Sequence, residues 1–130
     1  MIDFTSSNTQ LMLERSMQFG WTKQTAMLDN IVNGDTPGYK AKYVTFEEAL
    51  DSSLRRAHMG EKPVASMRSA LEASSPVVHT ADDETARMDG NGVNMAEQQI
   101  EMVRNSFQLQ HVYRALSSDI SRLMTAIRNQ

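Results

Sequence analysis

Residues 95–127 read MAEQQIEMVRNSFQLQHVYRALSSDISRLMTAI, and steps of four and three along this stretch select ten positions, eight of them apolar. A repeat that averages about 3.5 residues keeps one stripe of a helix facing a partner along its length. The pattern predicts a helix from about residue 95 to 128, about 50 Å long. The ten positions are Met95, Gln99, Met102, Ser106, Leu109, Tyr113, Leu116, Ile120, Leu123 and Ile127.

The first half of this helix carries a second apolar line. Residues three and four apart lie on one face of a helix, so we expect this half to contact more than one neighbour. Asn94 is the predicted N-cap, and Glu97 holds the position of its capping-box partner. The second line consists of Ala96, Ile100, Val103 and Phe107.

The sequence predicts another long helix over residues 8–33, with Ser7 or Asn8 as its N-cap. Its apolar residues also recur in steps of three and four, although Gly20 and Gln24 interrupt the stripe. Gly34 stands where many helices end in a left-handed residue. The proline at position 37 excludes helix at the residue before it.

The middle of the chain shows weaker patterns. Pro37-Gly38 predicts a type II turn with positive φ at the glycine, and residues 39–44 alternate as in an extended segment. A Thr-x-x-Glu box at Thr45 predicts a short helix over residues 46–57. Residues 58–92 are expected to be irregular, with a short strand at Val77-Val78 and a turn at residues 89–92.

Composition excludes several classes of function. The net charge is −3, and the acidic excess lies in residues 59–92, so nothing indicates nucleic acid. The absence of cysteine excludes disulfides and thiolate sites. No apolar run approaches the ~20 residues of a membrane span, and the N-terminus lacks the pattern of a cleavable signal peptide. The three histidines are scattered, so we expect no metal site, no cofactor and no catalytic residues.

Periodicity alone leaves two interpretations of the stripes open. The two helices could pair as a hairpin within one chain, or they could pack between subunits. A pair of helices of this length buries only a small fraction of its surface. We therefore expect ordering to complete on assembly.

A short segment at the exit of the first helix bears on this choice. Residues 28–41 read LDNIVNGDTPGYKA. The segment resembles the signature of bacterial flagellar rod, hook and hook-associated proteins, which is Asn-Ile-Ala-Asn followed two residues later by Thr-Pro-Gly-Tyr. The matching positions are Asn30, Ile31, Asn33, Thr36, Pro37, Gly38 and Tyr39, while Val32 replaces the usual alanine.

Within that group the chain resembles the rod proteins of the flagellar basal body, and among them those of the proximal rod. The features shared with them are the short length, the FEEAL segment at residues 46–50, DGNGVNM at 89–95 and NSFQLQ at 105–110. Departures are Asn94 in place of aspartate, Gln98 near a usual glutamate and Leu109 in place of tyrosine. The resemblance covers about residues 8–57 and 89–130.

The resemblance implies a mainly α fold, in which two long terminal helices form an axial coiled-coil-like layer. Residues 1–34 and 93–130 would form a discontinuous axial helical domain, and residues 35–92 the turn, a short helix and an irregular middle with short β pieces. The stripes are then interpreted as subunit interfaces. On the N-terminal helix these are Leu13, Met17, Trp21, Leu28 and Ile31. On the C-terminal helix they are Met95, Met102, Leu109, Tyr113, Leu116, Ile120, Leu123 and Ile127.

The resemblance also implies a function without catalysis. Such a chain is a structural subunit of the periplasmic rod, is exported through the flagellar type III system without a cleaved signal, and is needed for motility. The expected partners are further copies of the chain, FlgC-like rod proteins, a FliE-like adapter and components of the membrane ring and export gate. The alternative is an adapter or export-linked protein that binds partner helices without polymerising.

Overall fold

A computed structural model describes residues 7–46, 51, 55, 63–81 and 92–128. The elements within these residues confirm the predicted mainly α fold with long helices at both ends and a small sheet between them. They are α1 (Asn8–Val32), β1 (Lys42–Thr45), α2 (Pro63–Ala73), β2 (Val77–Thr80) and α3 (Met95–Arg128).

Both ends of α1 are set by local hydrogen bonds. The Ser7 side chain caps the first turn by accepting the amide N–H of Gln10 at 3.1 Å. Asn33 ends the helix, and its amide N–H donates to the Asp29 carbonyl at 3.1 Å. The Ser7 cap and the bounds of α1 agree with the sequence prediction.

The predicted left-handed residue at Gly34 is wrong. Among the described residues, Gly38 is the glycine with positive φ, at 70°. The amide N–H of Gly34 donates instead to the Ile31 carbonyl at 3.1 Å, which continues the helical turn. A Cβ at Gly34 would lie 2.5 Å from the Met95 sulfur. A side chain at this position would therefore have to displace the end of the Met95 side chain.

The turn at Gly38 has the predicted geometry. The amide N–H of Tyr39 donates to the Thr36 carbonyl at 3.3 Å across the turn, as a type II turn requires. The chain then enters β1, which pairs antiparallel with β2, so that Tyr43 lies opposite His79. This pairing confirms the extended segments predicted near residues 39–44 and 77–78.

Helix α3 begins where the sequence predicts, because the Asn94 side chain accepts the amide N–H of Glu97 at 3.4 Å. It runs antiparallel to α1. Met95 lies against Gly34 near one end of the pair, and Leu109 lies against Gly20 nearer the other. A Cβ at Gly20 would be 2.6 Å from the Leu109 side chain, so this glycine also permits a close helix contact.

Helix α2 corrects the expectation of an irregular segment over residues 58–92. The Arg15 guanidinium of α1 donates to the carbonyls of Leu71 and Glu72, at 3.1 and 3.2 Å. Both carbonyls belong to the last turn of α2, where helical acceptors lack partners. The sequence signal was present, because Val64, Met67 and Leu71 follow helical spacing after a proline suited to the first turn.

A small apolar cluster fixes α2 to α1. Phe46 and Leu71 are buried at its centre, and Leu11, Phe19 and Met67 pack around them. The Phe19 and Phe46 rings stack with centroids 5.1 Å apart. Helix α1 is thus the central element, and it contacts α3, β1 and α2.

The predicted short helix over residues 46–57 and the predicted turn at 89–92 lie largely outside the described residues. Over the ranges that the structure does describe, no helix combines the length and apolar character needed to span a membrane.

We predict that Gly38→Ala lowers the free energy of unfolding by about 1–2 kcal/mol, because an L side chain is strained at positive φ. No atom lies within 4 Å of the added Cβ, so the cost comes from the backbone alone. Gly38→Asn should restore much of the loss, since asparagine tolerates this conformation. Urea unfolding followed by circular dichroism measures both; equal stability of the alanine and wild-type chains would contradict the turn.

Candidate assembly interface and signature turn

The Asn30 side chain joins three elements of the fold. It is fully buried in α1. Its Nδ2 donates to the Lys42 carbonyl at 2.7 Å and to Gln98 Oε1 at 3.0 Å. Its Oδ1 accepts the Lys42 amide N–H at 2.7 Å. The amide therefore pairs with β1 as a neighbouring strand would, and with α3 through its remaining donor.

Other signature residues support this arrangement. The Tyr39 hydroxyl donates to Asn30 Oδ1 at 3.4 Å, and the Tyr39 carbonyl accepts the amide N–H of Gly92. Asn33 Nδ2 donates to the Asp29 carbonyl at 2.8 Å, and Asn33 Oδ1 accepts the Thr36 hydroxyl at 3.3 Å. The two asparagines hence have different roles, one long-range and one local.

We call the contact between α1 and α3 the seam. A second buried amide, Asn105, lies in it, and its Nδ2 donates to the Gly20 carbonyl at 2.9 Å and to Gln24 Oε1 at 2.8 Å. The Asn30–Gln98 pair forms a similar polar contact nearer the signature turn. Buried amides tolerate few alternative alignments, because a shifted register leaves them unpaired.

Three ion pairs flank these amides. Lys23 Nζ lies 3.3 Å from Glu101 Oε2 across the seam, and Arg104 lies 2.7 Å from Glu101 Oε1. The hydrogen bond from Lys23 is the main cause that lowers the pKa of the Glu101 carboxyl. Lys42 pairs with Asp29 at 2.9 Å, and this hydrogen bond raises the pKa of the Lys42 ammonium.

The predicted interface residues of α1 separate into two groups. Leu13, Met17 and Ile31 are half-buried, whereas Trp21 and Leu28 are exposed. The residues of the α1 side line, defined as Trp21, Leu28 and Val32, lie one turn or more apart on one side of α1, and all three are exposed. Their assignment to a subunit interface stays a prediction.

The predicted stripe of α3 divides in the same way. Met95 and Leu109 lie against glycines of α1 in the same chain. Met102, Leu116 and Leu123 are half-buried, and the remaining predicted interface residues are exposed: Tyr113, Ile120 and Ile127. The interrupting residues Gln99 and Ser106 are also exposed. The single stripe is therefore partly an intramolecular surface and partly a free one.

The second apolar line of α3 lies away from the seam. We call Ile100, Val103 and Phe107 the α3 outer line; their exposed fractions are 56%, 55% and 61%. The first half of α3 thus directs two amides to α1 beside Met95 and Leu109, and it leaves the α3 outer line exposed. An ordinary amphipathic helix directs mainly apolar residues to the core.

An apolar cleft of about 460 Å³ lies beside Phe46 between the two long helices. Phe19 and Leu109 are among its lining residues, and His111 and Asp51 stand at its polar part. Asn105 also lines it, but its amide is already bonded to α1. Within the described residues, no group of three or more His, Asp or Glu side chains is placed to hold a metal ion.

Sequence reasoning missed the polar residues that face α1, namely Gln98 and Asn105. They stand seven residues apart, one heptad, immediately before two polar interruptions of the stripe at Gln99 and Ser106. The same spacing continues through Val112 and Asp119, which are half-buried. That repeat was visible in the sequence, yet polar residues on a helix are normally assigned to the solvent face.

Comparisons with known proteins show that the chain is similar to flagellar basal body rod proteins. A flagellar basal body rod protein FlgB of Aeromonas hydrophila is 30% identical over 105 residues, which cover 78% of each chain. FlgB of Bacillus subtilis is 26% identical over 121 residues, covering 93% of this chain and 94% of that protein. FlgB of Escherichia coli K12 is 28% identical over 115 residues, covering 82% and 83%. No protein-family model matches the chain.

We predict that Asn30→Ala lowers the free energy of unfolding by roughly 2–3 kcal/mol, because it leaves both backbone groups of Lys42 unpaired near a buried site. The matched control is Asn8→Ala, which removes one exposed bond to the Val64 carbonyl and should cost less than about 1 kcal/mol. Urea unfolding measures both, and hydrogen exchange at the Lys42 amide localises the effect. Equal losses in the two variants would mean that Asn30 does not connect the elements.

We predict that the contribution of Glu101 to stability falls in acid. Its pKa is lower in the folded chain than its ordinary value of 4.5, so the contribution is present above that value and is lost as pH falls through the folded pKa. Glu101→Gln should therefore be less stable than wild type at neutral pH, and the difference should disappear as pH falls through the folded pKa of Glu101. Lys23→Met should remove most of this pH-dependent difference. A difference that grows in acid would refute the assignment.

Proposed function

The chain belongs to the FlgB family of flagellar basal body rod proteins, and on that premise we propose that it is a structural subunit of the proximal rod. In this role it packs its terminal helices against neighbouring subunits and carries out no catalysis. Residues 1–34 and 93–130 act together as the axial helical domain, and the segment between them joins its two halves.

The observation that carries the proposal is the exposed apolar line on the first half of α3. This half of the helix directs Gln98 and Asn105 to the seam and leaves the α3 outer line in solvent. Removing apolar surface from water is worth about 25 cal/mol per Å². A neighbouring subunit is the natural source of that burial for a chain of a rod-forming family.

The remaining exposed interface residues form a second row on another side of α3. Tyr113, Ile120 and Ile127 continue along the second half of α3, and each is exposed. They stand seven residues apart, so they share a side of the helix. We infer that α3 meets neighbouring subunits along most of its length, on sides that α1 leaves free.

Export through the flagellar type III system belongs to the same proposal. Such a path requires a chain that separates its elements easily and has no covalent cross-links. The absence of cysteine meets the second requirement. The seam favours the first, because buried polar pairs contribute less to stability than apolar packing of the same size. The chain would thus reach the periplasmic rod through that channel and serve motility.

The partners of the proposed subunit are other copies of the chain, FlgC-like rod proteins, a FliE-like adapter, and components of the membrane ring and export gate. Exposed apolar lines on both α1 and α3 allow more than one neighbour at a time. Repeated contacts between unlike surfaces that do not close generate a helical assembly. This geometry suits a rod subunit better than a non-polymerising adapter.

We predict that Phe107→Asp prevents rod assembly and swimming, because it places an unpaired carboxylate in a subunit contact. The isolated variant should keep its helical content, since the Phe107 side chain is 61% exposed. The measurements are swimming in soft agar, the presence of the chain in purified basal bodies, and circular dichroism of the isolated chain.

The control is Ser69→Asp, which adds the same charge at an exposed polar position of α2, a helix that carries neither apolar line. It should swim normally. Normal swimming of the Phe107→Asp strain would remove the α3 outer line from the interface. A chain that is absent from wild-type basal bodies, yet binds rod proteins in solution, would favour the adapter function instead.

A further inference from the structure

The two exposed apolar lines occupy the same level of the α1–α3 pair. Contacts along the seam place Gly34 beside Met95 and Gly20 beside Leu109. The helices are antiparallel, so the residue numbers of any two facing positions add up to about 129. By this relation the α1 side line, from Trp21 to Val32, lies level with about residues 97–108 of α3. The α3 outer line spans residues 100–107, within the same layer.

The two lines face different directions. Successive residues of an α-helix are about 100° apart. Trp21 follows Gly20, which faces α3, so the α1 side line lies about a quarter turn from the seam. Val103 and Phe107 stand two residues either side of Asn105, which faces α1, so the α3 outer line lies opposite the seam. One chain therefore presents two unlike apolar surfaces at one level and in different directions.

The available area argues against a closed pair of two chains. Trp21 and Phe107 are each 61% exposed. With aromatic side chains burying about 150–250 Å² each, the six residues of both lines bring roughly 500 Å² to a contact. A stable protein pair buries about 1,200–2,000 Å². In a repeating assembly each chain makes two such contacts, one through each apolar line. The two contacts together hold the chain in place.

We propose that the α3 outer line of one chain packs against the α1 side line of a second copy at the same level, forming a lateral, head-to-tail contact. The inference rests on the proposed function as a rod subunit and specifies which helix faces meet. The surfaces are unlike, so the contact is heterologous and leaves a free line at each end for a further copy.

Paired cysteines test the contact, because the chain has no cysteine of its own. Thr25 lies between Trp21 and Leu28 on the same side of α1. The residue numbers of Thr25 and Val103 add up to 128, so the two positions lie at one level. Within one chain these positions lie on different sides of the helix pair, beyond the ~7 Å between Cα atoms that a disulfide spans. Thr25→Cys/Val103→Cys should therefore link only between chains.

The double variant replaces the wild-type chain in its bacterium, and basal bodies are isolated, mildly oxidised and run on non-reducing gels. We expect a ladder of dimers, trimers and larger species from the double variant and monomer from each single variant. Leu28→Cys/Ile100→Cys is a second same-level pair and should give the same ladder. It keeps the test decisive if the first pair impairs assembly.

The matched control is Thr25→Cys/Arg114→Cys, since Arg114 lies on the line of Phe107 two turns further along α3. It should remain monomeric. Dimers from Val103→Cys alone would indicate a two-fold contact and overturn the inference. So would monomer from both same-level pairs in strains that swim, although the rod-subunit function would then stand. Absence of the wild-type chain from basal bodies would instead refute that function.

Discussion

The rest of the structure depends on one buried side-chain amide. Asn30 gives its carbonyl oxygen and one N–H to the two backbone groups of Lys42, and its second N–H to Gln98. Strand β1 and helix α3 are thus fixed to α1 at a single position. An amide is suited to this task because it donates and accepts at once, whereas a carboxylate of the same shape only accepts. The turn at Gly38 brings the chain back alongside α1, where the backbone of Lys42 bonds to the Asn30 side chain.

Buried side-chain amides align α1 and α3 at the seam, and the α3 outer line stays exposed. Asn105 and Asn30 are both buried and both bonded across the helix pair. Apolar seams slide at little cost, but a buried amide out of register loses its partners. A polar seam stabilises the α1–α3 pair less than apolar packing would. This lower stability suits a chain that unfolds for export in the proposed function. The α3 outer line remains free for a neighbouring subunit.

Particular elements show how far the sequence alone predicts this fold. The bounds of α1 and α3 follow from periodicity and from the caps at Ser7 and Asn94, because both signals are local. The positive φ of Gly38 follows from its place after a proline. Helix α2 was missed, since its stability depends on Arg15 and on the buried Leu71, which are 56 residues apart. Gly34 was assigned a left-handed backbone, although it continues the helical turn and packs against Met95 of α3.

The sequence by itself determined the two long helices, the signature turn and, through them, the family. It determined that α3 carries two apolar lines, because spacing along one helix is a local property. Only the tertiary structure decided which side of α3 meets α1. Helical periodicity defines faces without naming their partners, and the partners of Asn30 and Asn105 are 68 and 81 residues away. Those long-range amide bonds turned Gln98 and Asn105 toward α1 and left the α3 outer line exposed.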